Sequence, residues 1–255
     1  MTLLELQGLS KSFGGLAAVR SASLEVNTGD LIGLIGPNGA GKTTVFNLIS
    51  GFYTPTSGSI RFRGEEIGGL KAHQVANRGV ARTFQNIRLF RELTILENVR
   101  IAHHPYAAYS LADSILHSRR YRDGERRLRA EALEYLATFG LQGRAETLAK
   151  NLPYGEQRRL EIARALSTRP SLLLLDEPAA GMNPQETVAL MQLIEFIRER
   201  FELTIVLIEH QMRVVMGICQ HILVMDFGEI IARGDPQEIQ RNPRVIEAYL
   251  GQQAG

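Results

Sequence analysis

The first third of the chain has the hydrophobic pattern of β-strands. Its apolar segments LLELQ, SLEV, LIGLI and SIRFR are separated by clusters of Gly, Asn, Thr and Pro that are typical of turns. One helix is predicted within this region, from Lys42 to about Ile49. The pattern therefore predicts a β-rich N-terminal region that one helix interrupts.

From about residue 87 to residue 168 the hydrophobic pattern becomes helical. TILENVRIA and EQRRLEIARAL are two of the helical segments. In a third, ERRLRAEALEYLATFG, apolar residues recur every three or four positions and so share one face of a helix. These residues are Leu128, Ala132, Leu136 and Phe139. We therefore expect an inserted helical region.

After Pro170 strands and helices alternate. The predicted strands are SLLLLD, LTIVLIEH and HILVMD, and the predicted helices between them are PQETVALMQLIEFIRER and QMRVVMGIC. Continuous apolar strands that alternate with helices are typical of a parallel sheet covered on both faces. The last third of the chain is thus predicted to be α/β.

The composition fits one large globular domain with an appended subdomain, because 255 residues with 44% hydrophobic side chains can bury a substantial core. The net charge of +2, from 29 basic and 27 acidic residues, creates no strong field toward nucleic acid or anionic lipid, so no nucleic-acid partner is expected. The single cysteine, Cys219, cannot form an internal disulfide. It lies among methionines at helical spacing, and we interpret it as a core residue.

The N-terminal stretch MTLLELQGLSKSF lacks the basic start and long apolar core of a secretion signal. The most apolar runs, LIGLIG and LLLLL, are far shorter than the roughly 20 residues needed to cross a bilayer. We therefore expect a cytosolic chain. If the protein works at a membrane, another protein crosses it.

GPNGAGKT, residues 36–43, fits the phosphate-loop pattern G-x-x-x-x-G-K-[ST], and it lies between a predicted strand and a predicted helix. A Gly-rich turn with an incidental lysine explains the eight residues but not these flanks. In such a loop, backbone NH groups and the helix N-terminus attract phosphate, the lysine adds a full charge, and Thr43 offers a hydroxyl to Mg²⁺. The predicted nucleotide-binding residues are Gly36, Pro37, Asn38, Gly39, Ala40, Gly41, Lys42, Thr43 and Thr44.

LLLLDEP places two carboxylates at the end of an apolar strand, where ligand sites of open parallel sheets lie. Asp176 is predicted to hold Mg²⁺ or its water, and Glu177 to activate the attacking water. The alternative is a helix cap. His210 ends another apolar strand, where it fits a terminal phosphate or the water, although a structural histidine is equally compatible with its position. Gln85 follows VARTF and is a candidate Mg²⁺ ligand; the alternative is an ordinary surface glutamine.

Together these segments resemble the ATP-binding subunit of an ABC transporter. GPNGAGKTT resembles its Walker A motif, Gln85 its Q-loop, LPYGEQRRLEIARAL its signature motif, LLLLDEP its Walker B motif, AAGMN its D-loop and His210 its switch histidine. Phe13, in LSKSFGGL, matches the position where this family stacks an aromatic ring on adenine; the alternative for Phe13 is core packing.

A narrower resemblance is to the ATPase subunits of branched-chain, or hydrophobic, amino-acid importers. It rests on ISGFYTPTSGSIRF, ARTFQNIRLFRELTILENV, DEPAAGMNP, IEHQMRVVMGI and NPRVIEAYLG. Of the two ATPase types in such importers, the chain is similar to the G-type, which has a longer insert near residues 103–125. Importers of urea and amides use close relatives and remain an alternative, as does an ABC ATPase without a transport role.

The resemblance implies an α/β fold of the phosphate-loop NTPase class. A mostly parallel core sheet with an N-terminal antiparallel β region would be formed by residues 1–86 and 169–255. Residues 87–168 would form the α-helical subdomain that carries the signature motif. The implied catalytic residues are Glu177, His210 and Lys42, and the implied metal ligands are Thr43, Gln85 and Asp176.

The resemblance also implies ATP and Mg²⁺ as cofactors and a mechanism that needs several partners. Two ATPase subunits would bind two ATP molecules head to tail, each between the Walker A motif of one chain and the signature helix of the other. The partners would be a second ATPase, of the F-type in a heterodimer, two transmembrane permeases and, indirectly, a periplasmic or extracellular solute-binding protein. The chain would lie on the cytoplasmic face of the plasma membrane, with Gln85 and RLFREL touching the permease.

The signature motif departs from the usual LSGGQ, because its residues are Leu152, Pro153, Tyr154, Gly155 and Glu156. Pro153 replaces a serine hydroxyl, and one charge-assisted hydrogen bond of about 1.5–3 kcal/mol is lost. Proline is well tolerated in a first helical turn. We therefore expect the NH groups of Tyr154, Gly155 and Glu156 to remain available to a phosphate held by the partner subunit.

Overall fold

The alternating apolar segments of the sequence fold as strands. The computed structural model describes residues 1–107 and 109–250. In chain order its strands are β1 (Thr2–Phe13), β2 (Leu16–Asn27), β3 (Leu31–Ile35), β4 (Ser57–Phe62), β5 (Glu65–Glu66), β6 (Val80–Arg82), β7 (Leu172–Asp176), β8 (Thr204–Ile208), β9 (His221–Asp226) and β10 (Glu229–Gly234).

The helices divide between two compact units, Met1–Gln85 with Ser171–Gly255 and Asn86–Pro170. The boundaries expected from the sequence differ from these by one or two residues. In chain order the helices are α1 (Lys42–Ile49), α2 (Ala72–Asn77), α3 (Ile95–His103), α4 (Leu111–Ile115), α5 (Arg119–Thr138), α6 (Tyr154–Leu166), α7 (Pro184–Arg200), α8 (Met212–Ile218), α9 (Pro236–Arg241) and α10 (Pro243–Leu250). The last five residues of the expected core, 251–255, lie outside the described residues, as does Ala108 within the expected insert.

One sheet of the first unit is antiparallel, with the strand order β2-β1-β4-β5 among the described residues. Leu6 on the central strand lies opposite Leu24 on one neighbour and Ile60 on the other. All three side chains are buried. This sheet confirms the predicted antiparallel β region at the N-terminus.

The other sheet of this unit has the order β10-β9-β3-β8-β7-β6, and its described pairings are parallel except for β10 with β9. Its strands β3, β7 and β8 are buried along their whole length, which explains their continuous apolar sequences. Because parallel strands end at the same edge, Gly36, Glu177 and Glu209 come to one edge of this sheet. The predicted parallel core sheet is confirmed.

Helix α1 belongs to the same hydrophobic cluster as both sheets. Its Phe46 is fully buried, in a cluster that includes Leu4, Phe62 and Ile208. The predicted bounds of α1 agree with the structure, whereas α2, β10, α9 and α10 were not among the predicted elements. Cys219 is buried, as its interpretation as a core residue requires.

In the second unit, α5 buries the face that was predicted from its apolar spacing. Leu128, Ala132 and Leu136 are at most 4% exposed, and Phe139, which follows the helix, is 1% exposed. Residues 87–93 are irregular and not helical. The buried Asn98 holds this irregular segment, because its side chain accepts from the Phe90 NH at 2.9 Å and donates to the Phe90 carbonyl at 3.0 Å.

Within residues 1–107 and 109–250, no helix combines the length and the apolar character that a membrane span requires.

Candidate nucleotide-binding site

The predicted phosphate loop connects β3 to α1 and depends on two of its glycines. Gly36 and Gly41 have φ angles of 146° and 103°, which side chains rarely adopt. A Cβ atom on Gly36 would lie 2.0 Å from the Met225 carbonyl oxygen, and one on Gly41 would lie 2.4 Å from that of Ala18. The loop can therefore take this path only with glycine at both positions.

Lys42 is the first residue of α1, and its side chain is held inside the loop. Its Nζ donates to the carbonyl oxygens of Gly36 at 2.7 Å and Pro37 at 2.8 Å. Burial lowers the pKa of Lys42, although the carboxylates of Glu177 and Asp176 act in the opposite direction. The ammonium group is therefore buried near two acids, beside the exposed Thr43 that follows it in the helix.

Asp176, at the end of β7, forms a buried ion pair that was not predicted. Arg82 Nη2 lies 2.9 Å from Asp176 Oδ2, and the two side chains are only 5% and 4% exposed. The backbone NH of Asp176 donates to Thr83 Oγ1 at 3.3 Å. The only sequence signal for the pair was an arginine in the apolar segment VARTF, because the contact itself depends on β6 lying beside β7.

Several further groups surround the Arg82 guanidinium. Its Nη1 donates to Asn47 Oδ1 at 2.6 Å and to Ser50 Oγ at 3.1 Å, both at the C-terminal end of α1. Three aromatic rings lie 5.0–5.9 Å from its Cζ, which is within cation–π distance. These rings belong to Phe46, Phe52 and Phe84. Arg82 thus connects α1, β6 and the predicted metal ligand Asp176.

Glu177, His210 and Gln85, which are far apart in the sequence, meet through their side chains. His210 Nε2 lies 3.0 Å from Glu177 Oε1, and Gln85 Nε2 donates to Glu177 Oε2 at 2.8 Å. Glu177 has a φ of 47°, a conformation that costs a non-glycine residue about 1–3 kcal/mol. Its side chain is 17% exposed and that of His210 is 37% exposed, so the constellation is accessible from solvent.

Phe13, at the end of β1, is 42% exposed, which excludes simple core packing as its role. Its ring makes an edge contact with Tyr53, with 5.1 Å between the ring centroids. Lys11 Nζ lies 5.1 Å from the Phe13 centroid and donates to the Thr54 carbonyl at 2.8 Å. Tyr53 and Lys11 were not predicted. Tyr53 is also exposed, so the two rings form an exposed aromatic surface beside the Lys11 ammonium group.

Two further residues of the first unit hold His210 in place and were also not predicted. The buried Glu209 accepts a hydrogen bond from the Ala179 NH at 2.7 Å, and Gln211 Nε2 donates to the Ala179 carbonyl at 2.9 Å. Both lie next to His210 in the sequence, but nothing in the local pattern indicates a contact 30 residues away.

The residues present fit a nucleotide with Mg²⁺. Glycine at positions 36 and 41 lets the loop pack closely against the backbone carbonyls of Met225 and Ala18, which gives the loop the path that a phosphate loop requires. Thr43, Gln85 and Asp176 offer hydroxyl, amide and carboxylate oxygens, the ligand types that Mg²⁺ prefers.

The predicted signature residues begin α6 in the second unit. Pro153 lies one position before the first helical turn, not inside it as expected, and it is the N-cap with φ −55° and ψ 153°. Its carbonyl accepts from the NH groups of Glu156 at 3.0 Å and Gln157 at 2.9 Å. The Glu156 NH is therefore already used. Among the described residues, the NH groups of Tyr154 and Gly155 have no hydrogen-bond partner.

The start of α6 is anchored by a buried ion pair. Arg158 Nη1 lies 2.8 Å from Glu161 Oε2, and both side chains are almost completely buried. Arg158 Nη2 also reaches the Tyr154 hydroxyl at 3.3 Å. Tyr154, which is 45% exposed, is therefore held at its hydroxyl end while its ring remains accessible.

Comparison with known proteins finds relatives that match the chain along nearly its whole length. A family model described as "ABC transporter" matches residues 19–180, and one described as "Branched-chain amino acid ATP-binding cassette transporter" matches residues 229–255. The chain is 48% identical, over 98% of each chain, to the high-affinity branched-chain amino acid transport ATP-binding protein BraF of Pseudomonas aeruginosa. It has the same identity and coverage with LivG of Escherichia coli K12, a protein of the same description.

Solved structures show the same fold. The ADP conformation of MJ1267, an ATP-binding cassette of an ABC transporter, superimposes with a TM-score of 0.85 and 30% identity, covering 98% of this chain and 99% of that one. The phosphate loop, the signature helix and these full-length similarities lead to one assignment: the chain belongs to the ABC transporter family of ATP-binding proteins.

Proposed function

We propose that this chain is the ATP-hydrolysing subunit of an ABC importer for branched-chain or other hydrophobic amino acids. The observation that carries the proposal is the 48% identity over 98% of the chain to transport ATP-binding proteins of that description. The C-terminal match, residues 229–255, points to the same class of importer. The contacts of Glu177 with His210 and Gln85 supply chemistry suited to hydrolysis.

Phosphate binding is assigned to the loop between β3 and α1. Its backbone NH groups and the N-terminus of α1 supply positive potential. Lys42 adds the full charge. An ammonium group has three donors, and the carbonyls of Gly36 and Pro37 use two of them, so one donor remains for a phosphate oxygen. Lys42 can thus hold the loop and contact a phosphate at the same time.

The metal site is assigned to Thr43, Gln85 and Asp176. When bound, Mg²⁺ neutralises phosphate charge that develops during transfer. Arg82 keeps the Asp176 carboxylate in place and compensates its charge in a buried setting. The metal ligand is therefore oriented before nucleotide binds.

Water activation is assigned to Glu177. Its carboxylate is held at both oxygens, by His210 and by Gln85, so its orientation is fixed. Gln85 is the last residue of the first unit, and Asn86 begins the second. A hydrogen bond from Gln85 to the catalytic carboxylate therefore couples the conformation of this connection to hydrolysis.

The partners follow from the same assignment. The signature residues belong to a separate unit from the phosphate loop. The NH groups of Tyr154 and Gly155, which have no hydrogen-bond partner among the described residues, suit a phosphate bound by another subunit. We assign to the complex a second, F-type ATPase subunit, two permeases and a solute-binding protein outside the membrane. The chain itself would lie at the cytoplasmic face of the membrane, where RLFREL contacts a permease.

Reconstitution tests this function. The chain, its partner ATPase, the two permeases and the binding protein would be assembled in liposomes, and ATP turnover would be measured with leucine, urea or a short amide. Leucine is expected to raise turnover, and the Glu177→Gln complex should show no response. Stimulation by urea or amide without leucine would refute the amino-acid assignment. Absence of turnover under every condition would refute the enzymatic one.

A further inference from the structure

Glu209 is a buried carboxylate that is compensated by backbone NH groups. It is 2% exposed and accepts three hydrogen bonds, from the NH groups of Ala179 at 2.7 Å, His210 at 3.0 Å and Gln211 at 3.2 Å. Within the described residues it has no ion-pair partner. A buried charge is tolerated only when such donors replace its hydration. The arrangement therefore indicates a specific task for the carboxylate.

Glu209 and Gln211 continue the pairing of two strands beyond the end of the sheet. The last backbone bond between the strands runs from the Glu177 NH to the Ile208 carbonyl at 2.9 Å. Past this point Glu209 accepts from the Ala179 NH, and Gln211 Nε2 donates to the Ala179 carbonyl at 2.9 Å. Side chains thus perform the bonding that a backbone would perform in a longer sheet. Both polar groups of Ala179 are held by the loop that carries His210.

We call the contacts of Glu209 and Gln211 with Ala179 the bracket. It lies next to Glu177 and His210, the two residues to which hydrolysis was assigned. Glu177 precedes Ala179 by two positions, and His210 stands between Glu209 and Gln211. Glu177 has a left-handed backbone, which persists only where the surroundings fix it. The side chains of Glu177 and His210 meet at 3.0 Å, so small shifts of either loop would separate them. The bracket fixes both loops at once.

A role as an ordinary helix cap does not explain Glu209. The nearest helix, α8, begins at Met212, and its N-cap is Gln211. Glu209 accepts from the NH groups of His210 and Gln211, which precede this helix, and from the NH of Ala179, in the loop after β7. Its contacts therefore join two loops and do not complete the end of a helix.

We propose that Glu209 is a positioning residue that, with Gln211, sets His210 against Glu177 for ATP hydrolysis. This inference rests on the roles proposed above for Glu177 and His210. A carboxylate is required because it can accept from several NH groups, whereas a carboxamide turns an NH₂ group toward one of them.

The first test is Glu209→Gln in the assembled transporter. We expect ATP turnover to fall about tenfold or more, while ATP affinity stays within about twofold, because the phosphate loop is not touched. Glu195→Gln, at an exposed position on α7, is the matched control and should change neither quantity. If Glu209→Gln impairs folding, Gln211→Ala removes only the Ala179 carbonyl contact and should lower turnover to a smaller degree.

A double-mutant cycle separates positioning from general destabilisation. In a His210→Ala background, Glu209→Gln should cause little further loss of turnover, since the residue it positions is gone. Fully additive losses would overturn the proposal. Unchanged turnover in His210→Ala alone would instead refute the role given to His210 in hydrolysis.

A measurement without nucleotide completes the test. Amide hydrogen exchange in the isolated full chain should accelerate in the peptides that contain Ala179 and His210 when Glu209 is replaced by Gln. Peptides from β1 should be unaffected. Unchanged exchange at Ala179 would overturn the bracket itself, whatever the activity shows.

Discussion

Replacing Arg82 with methionine is expected to destabilise the first unit strongly. The Arg82 and Asp176 side chains are 5% and 4% exposed and 2.9 Å apart, so the change removes the guanidinium that pairs with a buried carboxylate. Removal of one partner from such a pair costs about 3–5 kcal/mol. Methionine keeps most of the apolar stem, which limits any cavity term and leaves the charge as the main cause.

The lost contacts of the guanidinium act in the same direction. Its bonds to Asn47 at 2.6 Å and Ser50 at 3.1 Å disappear, and these losses are part of the same network, not independent additions. For a chain of this size each kcal/mol lowers the melting temperature by about 2–4 °C. The expected decrease is therefore roughly 6–20 °C.

The assay is thermal and urea denaturation of the nucleotide-free chain, followed by circular dichroism because the chain has no tryptophan. Arg61→Met, at an exposed position on β4, is the control and should melt near the wild-type temperature. Removing both charges, in Arg82→Met with Asp176→Leu, should recover most of the loss. An Arg82→Met protein as stable as wild type, or a double variant no better than the single one, would refute the role of the buried charge.

Three further outcomes are expected. Glu177→Gln should retain ATP binding and nearly abolish hydrolysis, trapping the closed pair of ATPases, as measured by bound nucleotide and phosphate release. Pro153→Ser should raise turnover or tighten ATP in the assembled transporter, because a serine N-cap restores a hydroxyl for the partner's phosphate; it should also stabilise α6 by about 1 kcal/mol. Burial raises the pKa of Glu131, but hydrogen bonds from Arg127 and His103 outweigh it and hold the value at about 2, below the ordinary 4.5. Its stabilising contribution is therefore complete above pH 4.5 and is lost as the pH falls from 4.5 to about 2, a dependence that Glu131→Gln should remove in urea denaturation.

Each of these outcomes has a result that contradicts it. Equal turnover of wild type and Glu177→Gln would remove Glu177 from water activation. No change in turnover or ATP affinity for Pro153→Ser would show that the partner's ATP does not depend on this position. If the free energy of unfolding falls equally in wild type and Glu131→Gln between pH 4.5 and about 2, a group other than Glu131 causes the loss of stability.

The residues predicted from sequence were those whose chemistry is encoded by neighbours in the chain. The phosphate loop has its glycines, lysine and threonine in eight consecutive positions, with strand and helix on either side. Asp176, Glu177 and His210 could be predicted because each lies at the end of an apolar strand. Their meeting at one sheet edge is a general property of parallel sheets, which is why these side chains could be expected near each other.

The missed residues depend on which strands become neighbours. Arg82 reaches Asp176 only because β6 pairs with β7, and Glu209 reaches Ala179 only because β7 pairs with β8. Strand order cannot be obtained from local periodicity. By contrast α9 was detectable, because Asp235 and Glu238 form a capping box around a proline at the helix start.

The position of Pro153 relative to α6 decides how many backbone NH groups can bind a phosphate. Placed inside the helix, it leaves three NH groups for a phosphate; as the N-cap, it uses its own carbonyl to occupy the NH of Glu156. Local sequence patterns indicate that a helix exists more reliably than they indicate its first residue. The number of NH groups available to a phosphate could therefore be determined only from the structure.

The left-handed backbone of Glu177 also affects how mutations would change the stability and the activity of this protein. Glycine or asparagine would enter that conformation more easily, so substitutions that relax this turn are available and would remove the carboxylate at the same time. A screen for stability alone would therefore select substitutions of Glu177. The turn after β7 is therefore a point where selection for folding and selection for hydrolysis act in opposite directions.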